Sequence, residues 1–163
     1  MEIVRKEYSF KSATGLCDIY ARSWAPADKD SVKAIFQITH GMAEHGERYA
    51  RFAKKLCEHG YAVFAQDHIG HGKSVASDDD LGYFGEKDGW RDFVIDCRSL
   101  TDIAREEYPG KPVVFFGHSM GSFITRTFII RHPDKYDAVI ISGTGHQSRL
   151  MVIAGYLLAE AEV

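Results

Sequence analysis

Between residues 32 and 142, four short apolar runs rich in β-forming residues alternate with three segments of helical period. The runs are Val32 to Thr39, Tyr61 to Gln66, Pro112 to Phe116 and Tyr136 to Ser142. A run that is apolar nearly throughout suits a strand buried on both faces. Tyr49, Phe52, Ala53 and Leu56 recur at helical spacing until Gly60. Trp90, Phe93, Val94, Cys97, Leu100 and Ala104 form a second stripe, with Arg91, Asp92, Arg98 and Arg105 on the water side and Pro109-Gly110 as the stop. Met120 to Arg131 makes a third helix, halted at His132-Pro133. Ahead of this series, Ile3 to Phe10 and Leu16 to Trp24 flank a polar turn and predict an antiparallel hairpin. The order predicts an α/β fold, a mostly parallel sheet with helices on both faces. The Gly- and Asp-rich stretch from Asp67 to Gly89 is expected to be an exposed connection.

A chain of 163 residues can bury one domain core. Its formal charge of −3 argues against a nucleic-acid partner, which needs a clustered excess of Lys and Arg. No apolar run is long enough to span a bilayer, and no secretion signal is read at the start. Cys17, Cys57 and Cys97 are odd in number and lack metal-ligand spacing, which fits reduced thiols and a cytoplasmic location. Cys57 and Cys97 fall on apolar helix stripes and are expected to pack in the core. The tail, Arg149 to Val163, carries ten apolar residues in a row. It reads either as a helix covering the core or as the start of a lid.

Gly117-His118-Ser119-Met120-Gly121 is a G-x-S-x-G pentapeptide placed between a buried strand and a helix. That context is the one a nucleophile elbow requires. A sharp strand-to-helix turn strains the serine backbone, flanking glycines admit close neighbours, and the helix N-terminus faces developing negative charge. Ser119 is therefore the candidate nucleophile. His40-Gly41-Met42 follows the first buried strand. An oxyanion hole in such a site takes one N–H from the residue after the nucleophile and one from the loop after this strand, which assigns Met120 and Met42. Gly41 would let that loop turn tightly.

The segments HGMAEHGERY, FAQDHIGHGKS and FFGHSMGS, in this order and spacing, resemble the monoacylglycerol lipase and lysophospholipase branch of the α/β-hydrolases. The resemblance runs from about Tyr8 to the end. It implies an α/β-hydrolase fold incomplete at its C-terminal end, with residues 1–147 in the core and 148–163 opening the cap. It implies a serine hydrolase acting on small acyl esters, without metal or organic cofactor, and with membrane contact through the cap. Gly41, Glu44 and Arg48 match substrate-side positions, Glu44 and Arg48 near a glycerol-like head group; a solvated surface charge is the competing reading of Arg48. Ser122 stands where the family more often has a second glycine. Asp67 to Ser74 matches the family's D-x-x-G-H-G-x-S turn, with a structural role.

Two other readings of these residues compete. Gly72-Lys73-Ser74 resembles the end of a phosphate-binding loop, but that loop needs glycine at position 67. His40, His45, His68 and His71 suggest a metal site, without the usual ligand spacing.

A serine nucleophile needs a histidine and an orienting carboxylate, and in this fold they follow it in the chain. After Ser119 come His132, His146, Asp134, Asp137, Glu160 and Glu162, none of them well placed. The base and acid are expected outside this chain, on a C-terminal companion segment. The strand at Val139 to Ser142 is expected to be an open edge, prone to self-association. The alternative is a non-catalytic fragment that binds a partner chain or an acyl ligand.

Overall fold

The computed structural model describes the backbone of residues 2–161 and the side chains of residues 2–158. Six strands and four α-helices follow in the order β1 (Ile3–Lys11), β2 (Asp18–Pro26), β3 (Ala34–Thr39), α1 (Ala50–Glu58), β4 (Tyr61–Gln66), α2 (Gly89–Glu107), β5 (Val113–His118), α3 (Met120–Arg131), β6 (Ala138–Ser142) and α4 (Arg149–Ala161). They build one sheet in the order β1-β2-β4-β3-β5-β6. Strands β4, β3, β5 and β6 pair with one another in parallel. The β1–β2 hairpin joins this block antiparallel, through β2 on β4.

Period-two alternation sends side chains to two cores. Ile35, Ala62, Phe64, Val113 and Phe115 pack with Phe93, Val94, Cys97, Leu100 and Ala104 of α2 and with Ile124 and Phe128 of α3. Phe36, Ile38, Val63, Ala65 and Trp24 pack with Ala53 and Cys57 of α1. Both cysteines expected in the core are there. One helix covers the second face where two cover the first, so Phe116 of β5 is half-buried and Ile140 of β6 is 46% exposed. Strand β6 is an open sheet edge, as expected, with β5 its neighbour among the described residues. No helix among those residues is long and apolar enough to cross a membrane.

The second helix departs from its expected pattern at its first turn. Trp90 was expected inward but is 40% exposed, and its indole N–H donates to Thr127 of α3. Asp92 was expected in water but is buried. It lies one turn from Asp96, on a helix face that packs against the hairpin. The Asp96 carboxylate is itself buried and accepts the Ser12 hydroxyl at 2.8 Å and the Ala13 amide at 2.7 Å. A polar contact between distant segments thus takes a face that charge alone assigns to water. The connection after β4 also departs from expectation: its first part, Asp67 to His71, is buried.

Burial pushes the Asp96 carboxyl up to about 6, against the pull of the two donors. A carboxyl whose folded pKa is raised favours the folded state when protonated. Its contribution is therefore present below about pH 4 and lost as pH rises through about 6. Asp96→Asn is expected to remove this loss. The stability difference between variant and wild type in urea titrations should grow toward the variant between pH 4 and 7, by at most about 3 kcal/mol.

Candidate active site

Ser119 sits between the last residue of β5 and the first of α3, with φ 52° and ψ −121°. A non-glycine residue at this positive φ is strained by roughly 1–3 kcal/mol, so its surroundings must hold it there. The Ser119 N–H donates to Ser142 O at 3.0 Å, tying the bend to β6. Ser119 O accepts both the backbone N–H of Ser122 at 2.9 Å and its hydroxyl at 2.6 Å. Ser122 therefore braces the elbow through both its amide and its hydroxyl. A Cβ at Gly121 would overlap the carbonyls of Thr39 and His40, and one at Gly117 would overlap Thr125 and Gly121. The start of α3 thus rests on the end of β3 backbone to backbone. Ser119 is half-buried, and its hydroxyl has no hydrogen-bond partner among the described residues.

Strands β3 and β5 are parallel neighbours in the register Thr39↔Gly117, so the loop after β3 leaves the sheet at the edge that carries Ser119. A Cβ at Gly41 would lie 3.1 Å from Ser119 Cβ, which brings residues 41 and 119 into contact. The Gly41 N–H donates to Glu44 Oε2 at 3.0 Å, and Tyr49 OH donates to the same oxygen at 2.8 Å. Arg48 Nη1 lies 3.0 Å from Glu44 Oε1. Burial raises the Glu44 carboxyl, but the Gly41 amide, Tyr49 and Arg48 hold it below its ordinary value. Glu44 therefore closes the loop, and Arg48 stays largely in water. Met42 presents a side chain 69% exposed over an open cleft of about 430 Å³ that Glu44, His71 and Leu81 also line. The N–H groups of Met42 and Met120 donate to no acceptor among the described residues.

Beneath these loops lies a residue that sequence reasoning missed. Arg22 of β2 is 2% exposed and grips Asp67, 1% exposed, through two bonds of 2.6 and 2.9 Å. Asp67 also accepts the amides of Gly46 at 2.7 Å and Lys73 at 3.0 Å. The pair thus joins the hairpin, the Gly41 loop and the turn after β4. The available signal was an arginine in the interior of a strand whose other charge, Asp18, stands at its first residue. Burial raises the Asp67 carboxyl, but Arg22 and the two amides bring it below its ordinary value. With Asp67 engaged in this way and Lys73 Nζ over the Tyr20 ring at 4.4 Å, the turn offers no phosphate cradle.

His40, His68 and His71 do cluster, with ring centroids 4.1 and 5.4 Å from His40. His40 and His71 bond to backbone carbonyls, and no group among the described residues has the arrangement of a metal site. His45 is exposed, apart from that cluster. His132 caps the far end of α3. Asp137 precedes β6 at the opposite sheet edge, accepting the Val113 amide at 2.7 Å. His146 is exposed in the segment before α4. The side chain of Glu160, and Glu162 altogether, lie outside the described residues.

Removing one partner of a buried, hydrogen-bonded ion pair leaves an uncompensated charge and costs about 3–5 kcal/mol. Asp67→Asn is expected to lower unfolding stability on that scale. An Arg22→Met/Asp67→Leu double variant should lose markedly less than the two single changes summed. Additive losses in denaturant titrations would show that the two residues do not act as a pair.

Comparison with known proteins identifies the family. Residues 30–163 match the family described as serine aminopeptidase, S33. The monoacylglycerol lipase of Mycolicibacterium smegmatis is 36% identical over 139 residues, 85% of this chain and 46% of the lipase. Human monoglyceride lipase is 31% identical across 88% of this chain and 41% of its own length. The crystal structure of a thermostable carboxyl esterase from Bacillus coagulans in complex with glycerol superposes with a TM-score of 0.84 at 34% identity, covering 96% of this chain and 51% of that one. The chain spans about half the length of these relatives. It belongs to the serine aminopeptidase S33 family of α/β-hydrolases and is a partial, monoacylglycerol-lipase-like member of it.

Proposed function

We propose that this chain carries the nucleophile and oxyanion hole of a hydrolase for monoacylglycerol- or lysophospholipid-like esters. The observation that carries the reading is Ser119 at positive φ on the N-terminus of α3, its hydroxyl unengaged and its Cβ against Gly41. Ser119 Oγ attacks the acyl carbonyl carbon and gives its proton to a histidine. The carbonyl oxygen becomes an oxyanion, held by the Met42 and Met120 amides and favoured by the α3 dipole. Collapse expels the alcohol, which takes the proton back from that histidine. Water then releases the acyl group by the same route.

Because both donors are main-chain groups, Met42→Ala or Met120→Ala changes the shape of the site more than its charge. Arg48, exposed beside Glu44, Glu44 at the cleft wall, and Gly41 against Ser119 face the head group. The names of the relatives, two of them lipases of monoacylglycerols, support this substrate class. Residues 148–163 begin the cap, where α4 exposes Leu150, Met151, Leu157 and Leu158 to an ester-bearing membrane or micelle. The odd, unpaired cysteines support a reducing, cytoplasmic setting.

No described histidine bonds to Ser119 Oγ, so the reading places the base and its acid outside these 163 residues. They come from a C-terminal companion segment, on the same polypeptide or another. Imidazole in solution can stand in for the base. It is expected to accelerate cleavage of a p-nitrophenyl ester by the wild-type chain above its own background, and not by Ser119→Ala. Without imidazole the chain should reach no more than about 10³–10⁴ over water. Equal imidazole slopes for both proteins would leave a non-catalytic fragment as the reading. Robust unaided turnover abolished by Ser119→Ala would put the base inside the chain.

A further inference from the structure

We propose that His40 is a positioning residue that holds the Gly41–Met42 peptide so that its N–H faces the reacting oxygen. In this proposal the backbone N–H of His68 sets the ring tautomer that lets it do so. The inference rests on the reading of Met42 as an oxyanion donor and adds the device that aims it.

His40 is fully buried, and both of its ring nitrogens are engaged. Nδ1 lies 2.7 Å from Gly41 O, and Nε2 accepts the His68 amide at 2.9 Å. A carbonyl can only accept and an amide can only donate, so one form of the ring satisfies both bonds: neutral, with its proton on Nδ1. An imidazolium would set one N–H against another. Burial pushes the His40 pKa down to about 4, with the His71 ring acting in the same direction and the Gly41 carbonyl, Asp67 and Glu44 opposing. The ionisable groups around the ring are thus Glu44 from its own loop and Asp67, His68 and His71 from the turn after β4.

The bonded carbonyl matters because it shares a peptide plane with the Met42 N–H. No peptide among the described residues is cis. In a trans peptide the C=O and N–H point in opposite directions. Drawing Gly41 O onto the buried ring therefore turns the Met42 N–H to the side away from it. The preceding peptide is fixed as well, since the Gly41 N–H is held by Glu44. If the peptide flipped, Gly41 O would lose its donor and the ring would keep an unpaired buried N–H. The His68 amide that selects the tautomer belongs to the turn anchored by Asp67 on Arg22. A continuous line of bonds thus runs from strand β2 to the donor beside Ser119.

The test is NMR of the 163-residue chain with ¹⁵N-labelled histidine. Long-range ¹H–¹⁵N correlations should show His40 as the neutral Nδ1–H tautomer at pH 7. An Nε2–H tautomer or an imidazolium there would overturn the proposal. The second arm is the residual dipolar coupling of the Met42 N–H. His40→Phe, which has no donor, should lower it by at least half, and His40→Asn, which keeps a donor near Nδ1, should restore it. A folded His40→Phe with an unchanged coupling would also overturn the proposal; if that variant does not fold, the wild-type tautomer decides. Neither readout involves ester cleavage. Failure of imidazole rescue would strike the hydrolase reading alone, and a wrong tautomer would strike only this one.

Discussion

The N-terminus of α3 rests on the carboxyl end of β3, with no side chain at position 121 to hold them apart. The geometry of the candidate site follows in large part from that contact. It fixes the angle at which β5 hands over to α3, and so holds residue 119 at a φ that serine avoids. It also brings the loop after β3 against the same bend, which places Gly41 beside Ser119; the Met42 and Met120 amides have no acceptor among the described residues. Main-chain donors fixed in this way need no reorganisation when charge develops in front of them.

A second anchor works from below. The Arg22–Asp67 pair is buried, and a buried ion pair contributes little net stability compared with apolar packing. What it supplies is position. One carboxylate gathers a side chain and two amides from the hairpin, the Gly41 loop and the turn after β4. Ordered loops over an open cleft need such a point, because few apolar contacts hold them.

Much of this was legible before any coordinates. The bounds of β4 and α3 match the apolar run 61–66 and the segment 120–131, because fully buried strands and proline-stopped helices leave strong local patterns. Ser119 was legible because the elbow is a local motif whose glycines are sterically required. What escaped was non-local. The burial of Asp96, one turn from Asp92, and of residues 67–71 depends on partners far along the chain, in the hairpin and in the Gly41 loop. Trp90 lies outward because its partner is Thr127, which no helical wheel of α2 contains. Arg22 left only a faint trace, one interior charge in a strand that also begins with Asp18, and the histidine cluster, suggestive of metal in sequence, is bonded to the backbone.

The single-helix face and the open edge at β6 show where the described fold leaves off, and the elbow lies next to that edge. The central claim is geometric: a serine presented at a strained bend in front of two free amides. A crystal structure after prolonged exposure to an alkyl fluorophosphonate tests it most directly. The account expects a single adduct on Ser119, its phosphoryl oxygen within about 3 Å of the nitrogens of both residue 42 and residue 120. An adduct on another residue, or a phosphoryl oxygen turned away from residue 42, would contradict it.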